Sequence, residues 1–325
     1  MTTQKQALIL GATGGVGGAA TDALLARGWT IRALSRDPVK AARNADPRIQ
    51  WTAGDAMDPT SVLAAAEGCE LIVHAVNPPG YRDWDKLVVQ MLDHTIAAAK
   101  ATGARILLPG TVYNYGPDAG SVVGEDAPQH PQTRKGALRV KMEERLQKAA
   151  RDGVPSLVVR AGDFYGGRSH GSSWFALGLI KPGAPLKSVS YPGKPGVGHS
   201  WAYLPDLGQA MARLAETPWT GFETYHFGGH WDGDGTRMIA AIRKAAGASL
   251  PQKPFPWTAL TLASPFVTTL REMQEMRYLW REPLRLGNAK LVAALGEEPH
   301  TPLDAAVART LEGLGCLPKA EKVAA

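Results

Sequence analysis

Short apolar runs alternate with longer amphipathic ones through the first half of the chain. Candidate strands fall at 7–10, 30–34, 49–52, 71–76, 105–108 and 156–160, separated by segments with helical periodicity. Near-continuous apolar strands between helices predict βαβ units, and therefore a parallel sheet covered on both faces in a doubly wound α/β fold. The helix ends are marked. Asp58 before Pro59 places a capping carboxylate ahead of a first-turn proline, and Gly28, Gly68 and Gly103 stand where left-handed C-terminal caps belong. After about residue 162 the pattern loosens into Gly/Pro-rich loops, notably 179–200, with helices expected at 236–246, at 268–280 and at the C-terminal end of 295–315. The reading is a larger unit over 1–165 and a smaller lobe over 166–325, with segments such as 199–203 returning to support the first.

Length and composition narrow the class. A chain of 325 residues, 44% hydrophobic and 20% charged, can bury a substantial core in one large or two coupled domains. The longest apolar stretches, such as 174–180, fall short of the roughly 20 residues that cross a bilayer. The apolar run at 7–10 is too short for a secretory segment, so a cytoplasmic protein is expected. Cys69 and Cys316 are far apart, which predicts reduced structural thiols. The net charge of +6 is spread along the chain without a basic run, so neither nucleic acid nor a membrane is expected as partner.

Chemistry enters with ALILGATGGVGG. Gly11, Gly14 and Gly17 repeat at three-residue spacing between a strand and a helix. Such a turn needs residues without a Cβ, and a diphosphate can then reach the amides and positive dipole of the helix N-terminus. A dinucleotide is expected here, held by Gly11, Thr13, Gly14, Gly15, Val16 and Gly17. At the end of the second strand, where an NAD site offers a carboxylate, this chain has Ser35-Arg36. A guanidinium suits a 2′-phosphate, so NADP(H) is favoured with NAD(H) as second choice, and Arg32 or Lys40 could share the role. Asp55 is placed to accept from an adenine amino group, beside Ala56.

These blocks resemble the extended and atypical short-chain dehydrogenases/reductases of the NAD(P)-dependent epimerase/dehydratase type. The likeness runs through GATGGVG at 11–17, GD at 54–55, HAVN at 74–77, ILLPGTVYNYGP at 106–117, VVRAGDFYGG at 158–167 and WAYLPDLGQA at 201–210. It implies a Rossmann sheet. Thr111 falls where the family's Ser/Thr bonds the substrate oxygen, and His74, Ala75 and Val76 fall beneath the nicotinamide ribose. Asn77 and Asp163 fall at substrate positions, Asp163 in place of an Asn.

The family's Tyr and Lys, four residues apart on a helix, are missing. Lys135 and Arg139 occupy the best-aligned positions, and a shifted register gives Ala137 and Lys141. Arg139 or Lys141 can hold the ribose as a cation. Lys135 could act as the acid if burial lowered its pKa, while Tyr113, Tyr115, Tyr165 and Tyr81 are alternative proton relays. Catalysis is therefore assigned to Thr111, Lys135 and Tyr113.

Three motifs point elsewhere. GRSHG at 167–171 matches a nucleophile elbow, with Asp206 and His226 following, but it lacks the strand before it. His226 and His230 have helical metal-pair spacing across two glycines, and WDGDG from Trp231 begins like a calcium loop without its closing Glu, so no metal is expected. Six of the nine tryptophans lie at Trp174 or later, either lining an apolar or aromatic substrate pocket or packing a core. The expectation is an NADP(H)-dependent oxidoreductase or epimerase-like enzyme acting on a carbonyl or hydroxyl carbon of a small molecule, with a homodimer as the candidate assembly. A non-catalytic nucleotide-binding sensor, in which loss of the Tyr marks loss of chemistry, is the competing reading.

Overall fold

In a computed structural model, residues 5–78, 84–167 and 173–317 are described. The first part alternates β1 (Gln6–Leu10), α1 (Gly15–Ala26), β2 (Thr30–Ser35), α2 (Pro38–Ala42), β3 (Ile49–Ala53), α3 (Pro59–Ala66), β4 (Leu71–His74), α4 (Trp84–Thr102), β5 (Arg105–Thr111), β6 (Val122–Val123), α5 (Arg134–Arg151) and β7 (Ser156–Ala161). There follow β8 (Asp163–Tyr165), β9 (Val189–Tyr191), β10 (His199–Tyr203), α6 (Leu204–Ala215), β11 (Phe222–His226), β12 (His230–Asp232) and α7 (Arg237–Ala246). The chain continues through β13 (Gln252–Pro254), α8 (Trp257–Ala263), α9 (Thr268–Glu275), β14 (Arg285–Leu286), α10 (Ala289–Leu295) and α11 (Leu303–Gly313).

A seven-stranded sheet, ordered β11-β7-β5-β4-β1-β2-β3 and parallel throughout, forms the centre. All six predicted strands are in it. Alternation sends Ala7 and Ile9 to the face covered by α1 and α6, and Leu8 and Leu10 to the face covered by α3, α4 and α5. This is why β1 reads as one apolar run: both faces are dry. Asp58 caps α3 by accepting from the amides of Thr60 and Ser61, and Gly28, Gly68 and Gly103 all have positive φ.

The boundaries differ in informative places. The strand expected over 71–76 ends at His74, and Ala75 to Asn77 turn away toward the site, whereas the one expected over 105–108 runs on to Thr111. The helix expected over 268–280 is α-helical to Glu275 and then tightens into a 3₁₀ turn, Met276–Trp280. Strand β10, expected to return to the first unit, pairs with β8 at the end of that unit and with β12 in a small separate sheet, and its Ala202 joins the core under the main sheet. Helix α6, packed on α1, and β11, which extends the main sheet beyond β7, return as well. The rest of the later chain has its own core, with Tyr165, Phe175, Trp201, Met238, Trp280 and Val307 at its centre.

Helices α1 and α6 approach so closely that a Cβ on Gly208 would lie 2.4 Å from the carbonyl oxygen of Ala19. Gly208→Ala should therefore force the helices apart and cost about 1–3 kcal/mol, read as a lowered urea midpoint with an unchanged slope.

Candidate active site

At the carboxyl edge of the sheet lies a cleft of about 1250 Å³. It begins at the turn after β1. Gly11 has φ 91°, and a Cβ there would meet the Ala75 carbonyl oxygen at 2.5 Å. A Cβ on Gly17 would lie 2.2 Å from the Gly11 oxygen, so Gly17 packs helix against strand and, unlike the other predicted residues, does not line the cleft. The amide of Gly14 donates to Gly11, and no side chain caps the start of α1. Nothing acidic stands in the first turn either, which leaves its amides and dipole to favour an anion. These features fit a dinucleotide diphosphate.

Gly11, Thr13, Gly14, Gly15, Val16, Arg36, Asp55, Ala56, His74, Ala75, Val76, Asn77, Thr111, Tyr113, Lys135, Arg139 and Asp163 all line this cleft. Lys40 also lines the cleft, as Arg36 does. Arg32 does not join them: its guanidinium donates to the carbonyls of Ala65 and Glu67 on the other side of β2. Asp55 accepts from the Met57 amide, which fixes the carboxylate in the loop after β3.

His74 closes the floor. Its Nδ1 lies 2.8 Å from Thr95 Oγ1, which itself donates to the Met91 carbonyl, so Nδ1 carries the hydrogen and Nε2 is bare. Nε2 is buried without a hydrogen-bond partner. Burial, with Arg139's charge in addition, lowers its pKa to about 3. Asn77 accepts from Trp84 Nε1 at 2.5 Å, and the Arg139 guanidinium lies 5.5 Å from the Trp84 ring.

At the opposite end, Thr111 closes β5. Its hydroxyl oxygen accepts from the Tyr113 amide at 3.4 Å, starting the 3₁₀ turn Val112–Asn114. The Thr111 carbonyl is held by Arg160, which is fully buried and forks onto both oxygens of Glu143 at 2.7 and 2.9 Å. Lys135, in the first turn of α5, is 2% exposed. Its Nζ lies 2.9 Å from the Glu272 carbonyl and 3.0 Å from the Glu272 carboxylate, brought in by α9. Burial lowers the Lys135 pKa against the opposing pull of Glu272. Asp163 sits on the wall with Oδ2 2.8 Å from His199 Nε2.

Several alternatives fall away. Tyr115 is buried, its hydroxyl bonded to His226 Nε2 at 2.8 Å and its pKa pushed up to about 12 by burial. Tyr165 is likewise buried against His230, and burial raises it further. Neither lines the cleft, so neither serves as a relay, and Tyr81 lies outside the described residues. Ser169 does too. Asp206 and His226 form no triad: Asp206 accepts from Thr301, and His226 is paired with Tyr115 and the Val123 carbonyl. His230 reaches Thr301 instead of His226, and Asp232 accepts from the amides of Gly235, Arg237 and Met238 to open α7. Cys69 and Cys316 are free and buried.

Of the late tryptophans, Trp174 lines the cleft, while Trp201, Trp219 and Trp280 are buried. Trp174 packs against Trp280 at 5.3 Å and Trp257 at 5.9 Å. With Phe164, Leu177, Met273 and Met276 it makes this end apolar. Sequence reasoning missed Trp84 and Glu272. No local signal marked Glu272, which reaches the site only through docking of α9.

Residues 11–164, a little under half of the chain, match the NAD(P)H-binding family. A 3-diazoavenalumate denitrifying reductase from a Streptomyces species is 30% identical over 174 residues, 49% of this chain and 56% of the relative, so the match spans about half of each protein. The dTDP-glucose 4,6-dehydratase of Streptomyces venezuelae, solved with NAD and TYD bound, is 18% identical with a TM-score of 0.72 over 94% of this chain and 96% of that one. The UDP-glucose 4-epimerase of Thermotoga maritima, solved with UDP-glucose, is 16% identical with a TM-score of 0.72 over 94% and 97%. At these identities the shared property is the fold, a parallel Rossmann-like sheet with helices on both faces. No helix among the described residues is long and apolar enough to cross a membrane.

Two buried histidines make the fold acid-sensitive. Burial holds the pKa of both His74 and His226 at about 3, below the ordinary imidazole value. The unfolded chain binds these protons below about pH 6.5 and the folded one does not. Their contribution is therefore complete above that pH and is lost as pH falls toward 3, at about 1.4 kcal/mol per pH unit for each histidine. Urea titrations at pH 7, 6 and 5 should show this loss, and a flat profile would contradict the assignment.

Proposed function

We propose that the chain is an NADP(H)-dependent oxidoreductase acting on a carbonyl or hydroxyl carbon of a small apolar, preferably aromatic, molecule. The observation that carries this reading is the continuity of the cleft: an uncapped glycine cradle and Arg36 at one end join Thr111, Lys135 and an aromatic wall at the other. Gly11 to Val16 would hold the diphosphate, Asp55 and Ala56 the adenine, and Arg36 with Lys40 a 2′-phosphate, with NAD(H) as second choice. His74, Ala75, Val76 and Arg139 would hold the nicotinamide ribose. When bound, the dinucleotide supplies or takes up hydride.

The protein's own groups handle the oxygen. The Thr111 hydroxyl donates to the substrate oxygen and Tyr113 borders it. Lys135, held by Glu272, presents positive charge where negative charge develops. Asn77 and Asp163 contact substrate, and Trp174, Phe164 and Met276 exclude water from an apolar ring. The competing sensor reading rests on Lys135 standing where the family has its tyrosine; turnover separates the two.

Calorimetry should detect NADPH binding, and its absence at high micromolar cofactor would end this reading. Arg36→Asp should weaken NADPH by about 10-fold or more, the worth of one charge-assisted hydrogen bond, and move preference toward NADH. Thr111→Ala should lower substrate-dependent NADPH oxidation by about 100-fold with cofactor affinity unchanged. Benzaldehyde, acetophenone and cinnamaldehyde are suitable probes, and no turnover of any of them would favour the sensor.

A further inference from the structure

The helix that bears the family's proton donor carries Lys135 here, and Lys135 is engaged by both the carbonyl and the carboxylate of Glu272. A reductase still needs a proton for the substrate oxygen. On the cleft wall, Asp163 Oδ2 lies 2.8 Å from His199 Nε2, both residues being buried. The other ring nitrogen, Nδ1, lies 3.3 Å from the Leu279 carbonyl oxygen, which can only accept. That contact is a hydrogen bond when Nδ1 carries hydrogen. With Nδ1 protonated, Nε2 would meet the carboxylate lone pair against lone pair unless a second proton lies between them. Satisfying both contacts at once takes one additional proton on the pair, as imidazolium with carboxylate or as neutral imidazole with carboxylic acid. Either way the pair is neutral overall, the state that burial tolerates best.

We propose that Asp163 and His199 form the proton store of this site, with Asp163 the catalytic acid at the substrate oxygen and His199 a positioning residue behind it. The inference rests on the oxidoreductase reading. Strand register brings Asp163 to the same edge as Thr111, since Thr111 pairs with Ala161 across β5 and β7 and Asp163 follows two residues later. Thr111 and Asp163 both line the cleft. His199 is fixed from three sides. Its ring stacks on Trp280 with centroids 3.8 Å apart and planes at 8°, an arrangement that also favours a ring bearing positive charge. Leu279 comes from the same 3₁₀ turn, and β10 holds the backbone against β8.

The other titratable groups facing Asp163 are Tyr278 from the 3₁₀ turn and Tyr191 from β9. Both are raised, by burial first and then by nearby carboxylates that include Asp163, so they stay neutral and do not compete for its proton. In the reaction, hydride from a reduced nicotinamide dinucleotide adds to the carbonyl carbon and the π pair of the C=O bond moves to oxygen. That oxygen takes the proton from Asp163. An Asp163 carboxylate is left facing a neutral His199, whose bare Nε2 disfavours this state and draws a proton back from water entering the cleft.

The test has two arms. In ¹⁵N-histidine-labelled protein without ligand, NMR should show a protonated Nδ1 and a hydrogen-bonded proton at Nε2 of His199 at the same time, the second lost in Asp163→Asn; a single proton on the ring and none shared with Asp163 in the wild type would overturn the proposal. In the NADPH assay, with whichever probe carbonyl the wild type reduces fastest, Asp163→Asn should lower kcat by about 100-fold and leave NADPH affinity unchanged. His199→Gln keeps a donor to Asp163 but cannot carry the extra proton; it should lower kcat less, shift its pH profile and spare KM. Wild-type kcat and solvent isotope effect in both variants, with NADPH bound normally, would overturn this inference alone. A wild type that binds no NADPH would overturn the dinucleotide reading and this inference together.

Discussion

The geometry of the site depends on a buried guanidinium. Arg160 is fully enclosed at the end of β7, and a charge in that position persists only if it is paired and hydrogen-bonded. One arm holds the Thr111 carbonyl and the other takes both oxygens of Glu143 from α5, while the face of the fork lies 4.9 Å from the Tyr115 ring. Glu143 in turn accepts from Asn114 and Gln129. The pair is weak evidence for stability, since desolvation offsets most of its attraction. Its consequence is positional: β5, β7, α5 and the turn after Thr111 meet at one fixed point, and the cleft-facing side of that point carries Thr111, Tyr113 and Lys135.

The two ends of the cleft are made differently. At the cradle the determinant is the absence of side chains: backbone approaches backbone so closely at Gly11 and Gly17 that no Cβ fits, and the start of α1 stays open to an anion. At the aromatic end, side chains from the later part of the chain decide. Glu272 from α9 meets Lys135, Trp174 and Met276 supply the apolar wall, and His199 from β10 backs Asp163. The same sheet edge can thus serve different chemistries according to what the lobe brings to it.

Much of the first domain was legible along the chain because its determinants are local. The six strands announced themselves as apolar runs, since a parallel sheet is buried on both faces, and Asp58 and the capping glycines closed the helices between them. Strand β11 was missed: at the sheet edge, Phe222 to Tyr225 are only half-buried and show no apolar run. Strand β10 was expected only to return to the first unit; its uniformly buried residues gave no sign that it would pair with β8 and β12 in a sheet of their own. Tyr115 and Tyr165 stood in loops expected near the ligand, yet their rings turned inward, which no spacing reveals.

By itself the sequence determined the doubly wound sheet, the glycine cradle and the places of Arg36, Thr111, Lys135 and Asp163 along the cleft. Each follows from a periodicity, a steric requirement or a position at a strand end. Only the tertiary structure decided which partner each polar group meets: Glu272 at Lys135, Glu143 at Arg160, His199 at Asp163. These pairs join residues 137, 17 and 36 positions apart through lobe docking and helix packing, and the proton inventory of a buried group is set by such neighbours, which the order of residues does not encode locally.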